Sequence, residues 1–254
     1  MAKTIAIHSF KGGTGKSTIS ANLAAALCLR RKNVGLMDMD LEGPGLHVIL
    51  GLDPDELTCT LNDVLTNGAR PEQAAVRMND RLHLDRGELY FTPASIRVEE
   101  ILKSLRSGFE LDSFSKAIKK LAESFDLDYL LVDTHPGLED DTLLAISVCD
   151  RLVIASRLDQ QDMFGTGVMA EVARTLEKPV HLLMNMIPLA LKPADVPTIT
   201  NKISANFKIR LLGWLPFSED IVNSLSRSVF ILTNPTNPMT KRFAELASKV
   251  ESLS

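Results

Sequence analysis

The stretch SFKGGTGKST, residues 9–18, contains three glycines, the last of which begins a Gly-Lys-Ser sequence, and it directly follows an apolar segment. Glycines in such a turn let backbone N–H groups converge on phosphate oxygens. The usual phosphate-binding pattern, G-x-x-x-x-G-K-[ST], has a glycine where this chain has Phe10, and Lys11 stands beside it. The stretch therefore predicts a variant phosphate-binding loop in which Lys11 has a task of its own.

The segments around this loop alternate between two patterns. KTIAIHSF and NVGLMDMD have the apolar character of buried strands, and residues 16–31 between them have apolar positions at helical spacing. This alternation predicts an α/β fold, a mostly parallel sheet covered by helices on both faces. Further strands are predicted at HLDRGELYFT, YLLVDT, RLVIAS, VHLLMNMI and IRLLGWLP, and further helices at VEEILKSLRS, SFSKAIKKLAESF, DTLLAISVC, MFGTGVMAEVARTL and PMTKRFAELASKVESL.

Composition limits the class of protein. The chain of 254 residues is 45% hydrophobic but only 5% aromatic, so we expect an aliphatic core, and we find no repeat or linker that would divide one domain over residues 1–254. The net charge of −4 gives no general reason to expect a nucleic-acid partner. Cys28, Cys59 and Cys149 are widely spaced, which argues against a disulfide framework or a zinc site. No long apolar segment is present, and we expect a cytoplasmic protein.

Each residue type in the loop has a chemical reason to be there. Gly12, Gly13 and Gly15 leave room for phosphate, and a helix that begins near Lys16 adds its unpaired N–H groups. The Lys16 ammonium would neutralise the β- and γ-phosphates of a nucleotide, and the Ser17 hydroxyl would ligate Mg²⁺.

The run K-G-G-T-G-K-S-T resembles the deviant Walker A motif of the MinD/ParA group of ATPases. The resemblance implies a P-loop NTPase architecture and binding of ATP with Mg²⁺. It also implies that Lys11 acts in trans, reaching across an ATP-bound homodimer to the phosphates of the other subunit. The variant motif starts one residue after Phe10. Its nucleotide-binding residues in this chain would be Gly12, Gly13, Thr14, Gly15, Lys16, Ser17 and Thr18.

Two acidic strand ends fit the same resemblance. VGLMDMDLEGPG brings Asp38 and Asp40 to one face at the end of a strand, where ligands lie in such sheets. The resemblance places Asp38 near the metal and Asp40 at the attacking water. DYLLVDTHPGLEDD ends a strand in Asp133, which resembles a Walker B acid that holds Mg²⁺ through water. In the D-T-x-P-G pattern that follows, Gly137 would register the γ-phosphate, and His135 occupies a position where proline is frequent.

The resemblance also implies a place for the adenine base. VHLLMNMIP puts Asn185 near a strand end, and its amide would contact the base. GWLPF resembles the segment whose backbone lies against the base, with Pro216 at the matching point. Together with the loop, these residues predict an ATP-hydrolysing enzyme whose catalytic residues are Lys11, Lys16 and Asp40.

The partner is less well defined by the sequence. ATPases of this group are mostly switches that a partner protein recognises in one nucleotide state. The apolar stripe in KRFAELASKVESLS sits where a last core helix belongs, so direct membrane binding is disfavoured. Basic residues at 30–32 and 116–120 make nucleic acid possible but do not indicate it. A metal-cluster carrier would need paired cysteines, and only a pair between subunits at Cys59 or Cys149 keeps that hypothesis open.

The prediction is therefore a MinD-like switch ATPase that acts on an unidentified protein partner. A ParA-like, DNA-associated partitioning ATPase and a nucleotide-bound scaffold without significant turnover remain as alternatives. Intact Lys16, Ser17, Asp40 and Asp133 argue against the scaffold. Two tyrosines are too few for a tyrosine-kinase role.

Overall fold

A twisted sheet runs through the computed structural model, which describes residues 2–107 and 110–253. Its strands are β1 (Lys3–His8), β2 (Asn33–Met39), β3 (Val76–Arg77), β4 (Glu88–Thr92), β5 (Tyr129–Thr134), β6 (Arg151–Ser156), β7 (Val180–Ile187) and β8 (Arg210–Pro216). They lie in the order β3-β4-β2-β5-β1-β6-β7-β8. Only the short edge strand β3 pairs antiparallel, with β4. The predicted, mostly parallel sheet is thus confirmed.

Helices follow most strands, as parallel connections require. They are α1 (Lys16–Leu29), α2 (Leu46–Ile49), α3 (Leu61–Asn67), α4 (Pro71–Ala74), α5 (Asn79–Leu82), α6 (Val98–Ser107), α7 (Leu111–Ser124), α8 (Asp140–Val148), α9 (Gln160–Thr175), α10 (Val196–Phe207), α11 (Glu219–Asn223), α12 (Phe230–Thr233) and α13 (Pro238–Glu251), with a 3₁₀ turn at Pro54–Glu56.

The helices cover both faces of the sheet, because successive strand residues point to opposite sides. In β5, Leu131 joins an apolar cluster with α1 and α13, whereas Leu130 and Val132 join a second cluster with α7, α8 and α9. A third cluster lies between β7, α9 and α10. This double cover explains why the central strands are apolar along their whole length.

The apolar stripe of the last helix belongs to the core. Phe243, Leu246, Ala247 and Val250 of α13 are buried in the cluster shared with α1. None of the helices in the described part of the chain has the length and hydropathy needed to cross a bilayer. The expectation that this stripe packs against the protein is therefore confirmed.

Three local predictions need correction. The strand predicted at HLDRGELYFT begins only at Glu88, because His83 and Gly87 adopt left-handed backbone conformations with φ of 52° and 60°. The helix predicted over residues 16–31 ends at Leu29, because Arg31 turns into the left-handed region with φ of 67°. The basic residues therefore follow the last turn rather than lying in it. Helix α10 was not predicted, since its sequence VPTITNKISANF has several β-branched residues and resembles a loop. Packing of its buried Val196, Thr200 and Ser204 against neighbouring elements stabilises it instead.

Candidate functional site

The phosphate-binding loop connects β1 to α1 at the carboxyl edge of the sheet. Gly15 is the residue before the first helical turn and adopts φ of 82°, in the left-handed region that glycine tolerates. A Cβ at Gly15 would also lie 2.6 Å from the Asn185 Nδ2 atom. That amide nitrogen donates a hydrogen bond to the Thr14 carbonyl oxygen at 2.7 Å. The end of β7 thus holds the loop, and only glycine fits at position 15.

Phe10 anchors the loop to α9. A Cβ added to Gly165 of α9 would lie 2.1 Å from the Phe10 ring, so the ring occupies the notch that this glycine leaves. One turn earlier, the Gln161 side chain accepts a hydrogen bond from the Lys11 ammonium. The first turn of α9 is fixed by Asp159, whose carboxylate caps the helix N-terminus. Phe10 therefore has a packing role, and Lys11 lies near the surface.

A buried ion pair lies beneath the loop. The Lys16 Nζ atom is 3.2 Å from Asp133 Oδ1, and the two side chains are only 7% and 1% exposed. The Ser20 hydroxyl donates to the same Asp133 oxygen at 2.8 Å. Asp133 Oδ2 is buried and has no hydrogen-bond partner in the described structure. Asp133 Oδ1 therefore contacts both Lys16 and Ser20, whereas Asp133 Oδ2 remains available as an acceptor.

Asp38 lies beside Asp133 because β2 and β5 are neighbours and the two residues are paired in register. Asp38 Oδ2 accepts hydrogen bonds from the backbone N–H groups of Gly45 and Leu46 at 3.2 and 3.1 Å. Burial and the negative charge of Asp133 nevertheless raise the pKa of Asp38 to about 7. Two buried carboxylates side by side favour a bound cation, which would stabilise the ionised form of both.

Asp40 is more accessible than these two carboxylates, with 15% of its side chain exposed. Its Oδ1 atom lies 2.8 Å from His135 Nδ1 and also accepts a hydrogen bond from the Gly43 N–H at 3.0 Å. Burial alone would lower the pKa of His135, but the hydrogen bond to Asp40 and nearby Glu42 raise it overall. The Asp40 carboxylate is therefore partly exposed at the opening of the site and is fixed there by His135 and Gly43.

A second histidine, His8, is buried at the end of β1. Its Nδ1 atom lies 2.8 Å from the Thr134 hydroxyl oxygen, which itself donates to the Ile7 carbonyl. Burial and the positive charge of Lys16 lower the pKa of His8 to about 3, so the ring is neutral at physiological pH. The Gly137 N–H donates to the Ser9 carbonyl at 3.2 Å, which places the D-T-H-P-G segment against the phosphate-binding loop.

A cavity on the other side of the loop has a different lining. Gly15, Thr18 and Asn185 border it next to the loop, and Pro216 borders it at the end of β8. The remaining lining is mostly apolar: Ile19, Met186, Leu215, Phe217, Ser218, Ile221, Val222, Met239 and Phe243. A mostly apolar lining with one amide has the chemistry that suits a heteroaromatic base.

The cysteines do not form a site. Cys28 and Cys149 are buried, and burial raises the pKa of each thiol to about 12. Cys59 is partly exposed. Cys149 would have to leave the core before it could pair with a cysteine of another subunit, and Cys59 is the only one of the three that is not buried.

A glycine-rich loop between a strand and a helix, with a lysine, a serine and two strand-end aspartates around it, defines a P-loop NTPase. The chain matches the family model described as an AAA domain over residues 2–185. Over 255 aligned residues it is 26% identical to the septum site-determining protein MinD of Thermotoga maritima, covering 98% of this chain and 88% of that protein. The chain belongs to the MinD/ParA type of P-loop ATPases.

Two further comparisons agree with this assignment. The crystal structure of the Pyrococcus furiosus cell division ATPase MinD has a TM-score of 0.83 with this chain, at 26% identity and full coverage of both chains. The cytosolic Fe-S cluster assembly factor NUBP1 homolog of Caenorhabditis briggsae is 27% identical over 268 aligned residues, covering 98% of this chain and 80% of that protein. Proteins with different tasks thus share this fold.

The structure brings the predicted residues to one edge of the sheet. Lys16, Asp38 and Asp133 meet beneath the loop, whereas Asn185 and Pro216 line the neighbouring cavity. The sequence interpretation missed three contributors: Ser20, His8 and Gln161. Ser20 alone had a usable signal, since it lies one helical turn after Lys16 and on the same face. His8 and Gln161 act through long-range contacts, and so does His135, which the sequence analysis named without its partner Asp40.

Proposed function

We propose that this protein is a slow ATPase that works as a switch: with ATP it forms a sandwich homodimer, and in that state it regulates or positions a protein partner. The buried Lys16–Asp133 pair beside Asp38 supports this proposal most directly. It places one cation and two carboxylates beneath a loop whose N–H groups suit phosphate. Burial of such groups costs stability, and titratable groups whose pKa is shifted by burial and by a neighbouring charge concentrate at functional sites.

Lys16 would change partner when the nucleotide binds. In the structure its ammonium pairs with Asp133, and the β- and γ-phosphates of ATP would offer a stronger, multiply charged acceptor. Asp133 would then be free for a metal ion. Thr14 Oγ1 and Asp133 Oδ2, both buried and without a hydrogen-bond partner among the described residues, show that the site has unused polar capacity.

The residues present fit Mg²⁺, which prefers oxygen ligands and keeps several waters. Ser17, Asp38 and Asp133 would hold it, directly or through water, and a cation bound there would favour the ionised form of Asp38, whose pKa is raised by burial and by Asp133. Bound there, Mg²⁺ would neutralise charge on the phosphate oxygens.

Asp40 is suited to orient the attacking water. Unlike Asp38, it is partly exposed, so its carboxylate reaches the solvent side of the site. A carboxylate that accepts a hydrogen bond from water aligns it for in-line attack on the γ-phosphate. Gly137, next to the loop with φ of 100°, can turn its N–H toward that phosphate.

The adenine base would lie in the cavity bordered by Asn185 and Pro216. Apolar contacts with Leu215 and Phe217 would supply affinity, and the Asn185 amide a polar contact. Asn185 also holds the Thr14 carbonyl, so occupation of the base cavity and the shape of the phosphate loop are coupled.

Lys11 supports the dimer part of the proposal. Its ammonium donates a hydrogen bond to the Gln161 side chain near the surface. From there it could reach the phosphates bound by a second copy. The basic residues that could have indicated DNA are partly engaged, since Arg30 pairs with Glu251 and Lys120 with Glu72. We therefore propose a protein partner rather than nucleic acid.

Nucleotide binding and phosphate release by three proteins test the proposal. The parental protein should bind Mg-ATP and release phosphate slowly. Lys16→Ala should bind at least about tenfold more weakly, because a charge-assisted contact is lost. Lys202→Ala removes an exposed lysine from α10 and is the matched control, with parental affinity expected. Binding without any phosphate release would favour the nucleotide-bound scaffold, and absence of binding would refute the proposal.

A further inference from the structure

The side chain of His135 joins the two loops that end β2 and β5. These strands are neighbours, and Asp38 pairs with Asp133 in register, so residues 40 and 135 leave the sheet side by side. The His135 Nδ1 atom lies 2.8 Å from Asp40 Oδ1. Because a carboxylate can only accept, Nδ1 carries the hydrogen and donates it. The contact is therefore a charge-assisted hydrogen bond between two loops of the site.

The two oxygens of Asp40 are in different surroundings. Oδ1 accepts both the His135 bond and the Gly43 N–H, whereas no hydrogen bond to Oδ2 is found in residues 2–107 and 110–253. Gly43 belongs to the same loop as Asp40 and would move with it. His135 is the contact that ties the carboxylate to a different strand, and it leaves Oδ2 available to water.

His135 is itself held in place. Its carbonyl oxygen accepts a hydrogen bond from the Thr142 hydroxyl of α8 at 3.1 Å. The other ring nitrogen, Nε2, faces Glu42 at 4.0 Å, and the side chain is 18% exposed. Rotation of the ring away from Asp40 would break the hydrogen bond to that carboxylate. The ring is thus preorganised as a donor to Asp40.

We propose that His135 is a positioning residue that fixes Asp40 Oδ1 and thereby directs Oδ2 at the attacking water. This inference rests on the role proposed above for Asp40. Preorganised groups contribute to catalysis because they need no rearrangement when the reaction occurs.

Two substitutions separate the donor from the bulk of the side chain. His135→Asn keeps an N–H donor at about the position of Nδ1, whereas His135→Leu fills the space without one. Steady-state phosphate release should give a kcat for His135→Leu about tenfold below that of the parental protein, with KM within about twofold. His135→Asn should recover most of kcat. Equal losses in both variants, or a loss confined to KM, would overturn the proposal.

An Asp40→Ala background distinguishes this inference from the proposed function. If His135 acts through Asp40, adding His135→Leu to Asp40→Ala should lower the single-turnover rate no further. A further tenfold loss would show that His135 acts independently, and the inference would be wrong. Parental turnover in Asp40→Ala alone would instead refute the role of Asp40 and with it the proposed mechanism. A thermal melt of each variant confirms that it is folded.

Discussion

The phosphate side and the base side of the site differ in polarity. Beneath the loop, Lys16 and Asp133 form a buried ion pair beside the buried Asp38 carboxyl, and Thr14 Oγ1 and Asp133 Oδ2 have no hydrogen-bond partner among the described residues. Beyond Gly15, the cavity next to β7 and β8 is lined mostly by apolar side chains around the Asn185 amide. Buried charge gives chemistry but destabilises the fold, whereas apolar surface gives affinity at little cost. Substitutions on the phosphate side and on the base side should therefore have different effects on turnover and on nucleotide affinity.

The largest effect should follow from Asp40→Ala on the phosphate side. Loss of a group that orients or activates the nucleophile typically lowers kcat by about 10²–10⁴-fold. Affinity for Mg-ATP should stay within about threefold, because Asp40 contacts His135 and Gly43 rather than the loop. Single-turnover phosphate release and fluorescence titration measure the two quantities. A loss of affinity as large as the loss of rate would remove the distinction between catalytic and binding residues.

Gly165→Ala should come next, because it attacks the packing that holds the loop. The new Cβ would lie 2.1 Å from the Phe10 ring, so the ring must move, at a cost of about 1–3 kcal/mol in the free energy of unfolding. Urea denaturation measures this value. Gly167→Ala is the matched control, since its Cβ would meet Phe207 at 3.3 Å. Adding Phe10→Ala to Gly165→Ala should restore part of the lost free energy of unfolding, because the clash is removed. If nothing is restored, the loss does not come from contact with Phe10.

Phe217→Ala tests the base side. Truncation of an aromatic side chain that lines the cavity should weaken Mg-ATP binding by about three- to tenfold and leave kcat unchanged. Phe164→Ala removes an aromatic ring that is 71% exposed on α9 and outside the cavity, and it should have no effect on affinity. Isothermal titration calorimetry of both variants with Mg-ATP measures the two affinities. A kcat defect in Phe217→Ala would mean that the two sides are not separable.

The smallest effect near neutral pH concerns His8. The pKa of His8 is lowered to about 3 by burial and by Lys16, whereas an unfolded histidine titrates near 6.5. Its stabilising contribution is therefore complete above pH 6.5 and is lost as the pH falls toward 3, because the unfolded chain binds the extra proton. His8→Asn should flatten the fall in unfolding free energy across this range by about 1.4 kcal/mol per pH unit.

The parental protein, followed over the same pH range, offers the control for that experiment. His181, whose pKa burial lowers to about 4, contributes to the slope in both proteins. Identical slopes for His8→Asn and the parental protein would show that His8 is not the neutral, buried group that the structure indicates.

The difference between the two sides also explains what the sequence could predict. The loop and the strand-end aspartates stand in short local patterns, and parallel strands bring their carboxyl ends to one edge, so Lys16, Asp38 and Asp133 could be grouped in advance. The tie between His135 and Asp40 joins residues 95 positions apart, and no local pattern encodes it. His8 likewise acquires its neutral state only through burial by distant residues.

Helices show the same limit. Helix propensity and apolar periodicity suffice to predict α13, whose apolar stripe is regular. Helix α10 has several β-branched residues, and its packing against neighbouring elements stabilises it instead. Phe10 was identified as the residue that breaks the usual loop pattern. Its reason, a notch at Gly165 in a helix far along the chain, became visible only in the structure.

The central claim is that ATP, through Lys11, joins two copies of this chain into a switch. The most direct measurement is the light-scattering mass of Asp40→Ala, which should bind ATP without consuming it, in Mg-ATP and in Mg-ADP. The account predicts a mass near twice 27.9 kDa in Mg-ATP alone, and a monomer in both nucleotides when Lys11→Ala is added. A monomer of Asp40→Ala in Mg-ATP, or a dimer that persists without Lys11, would contradict it.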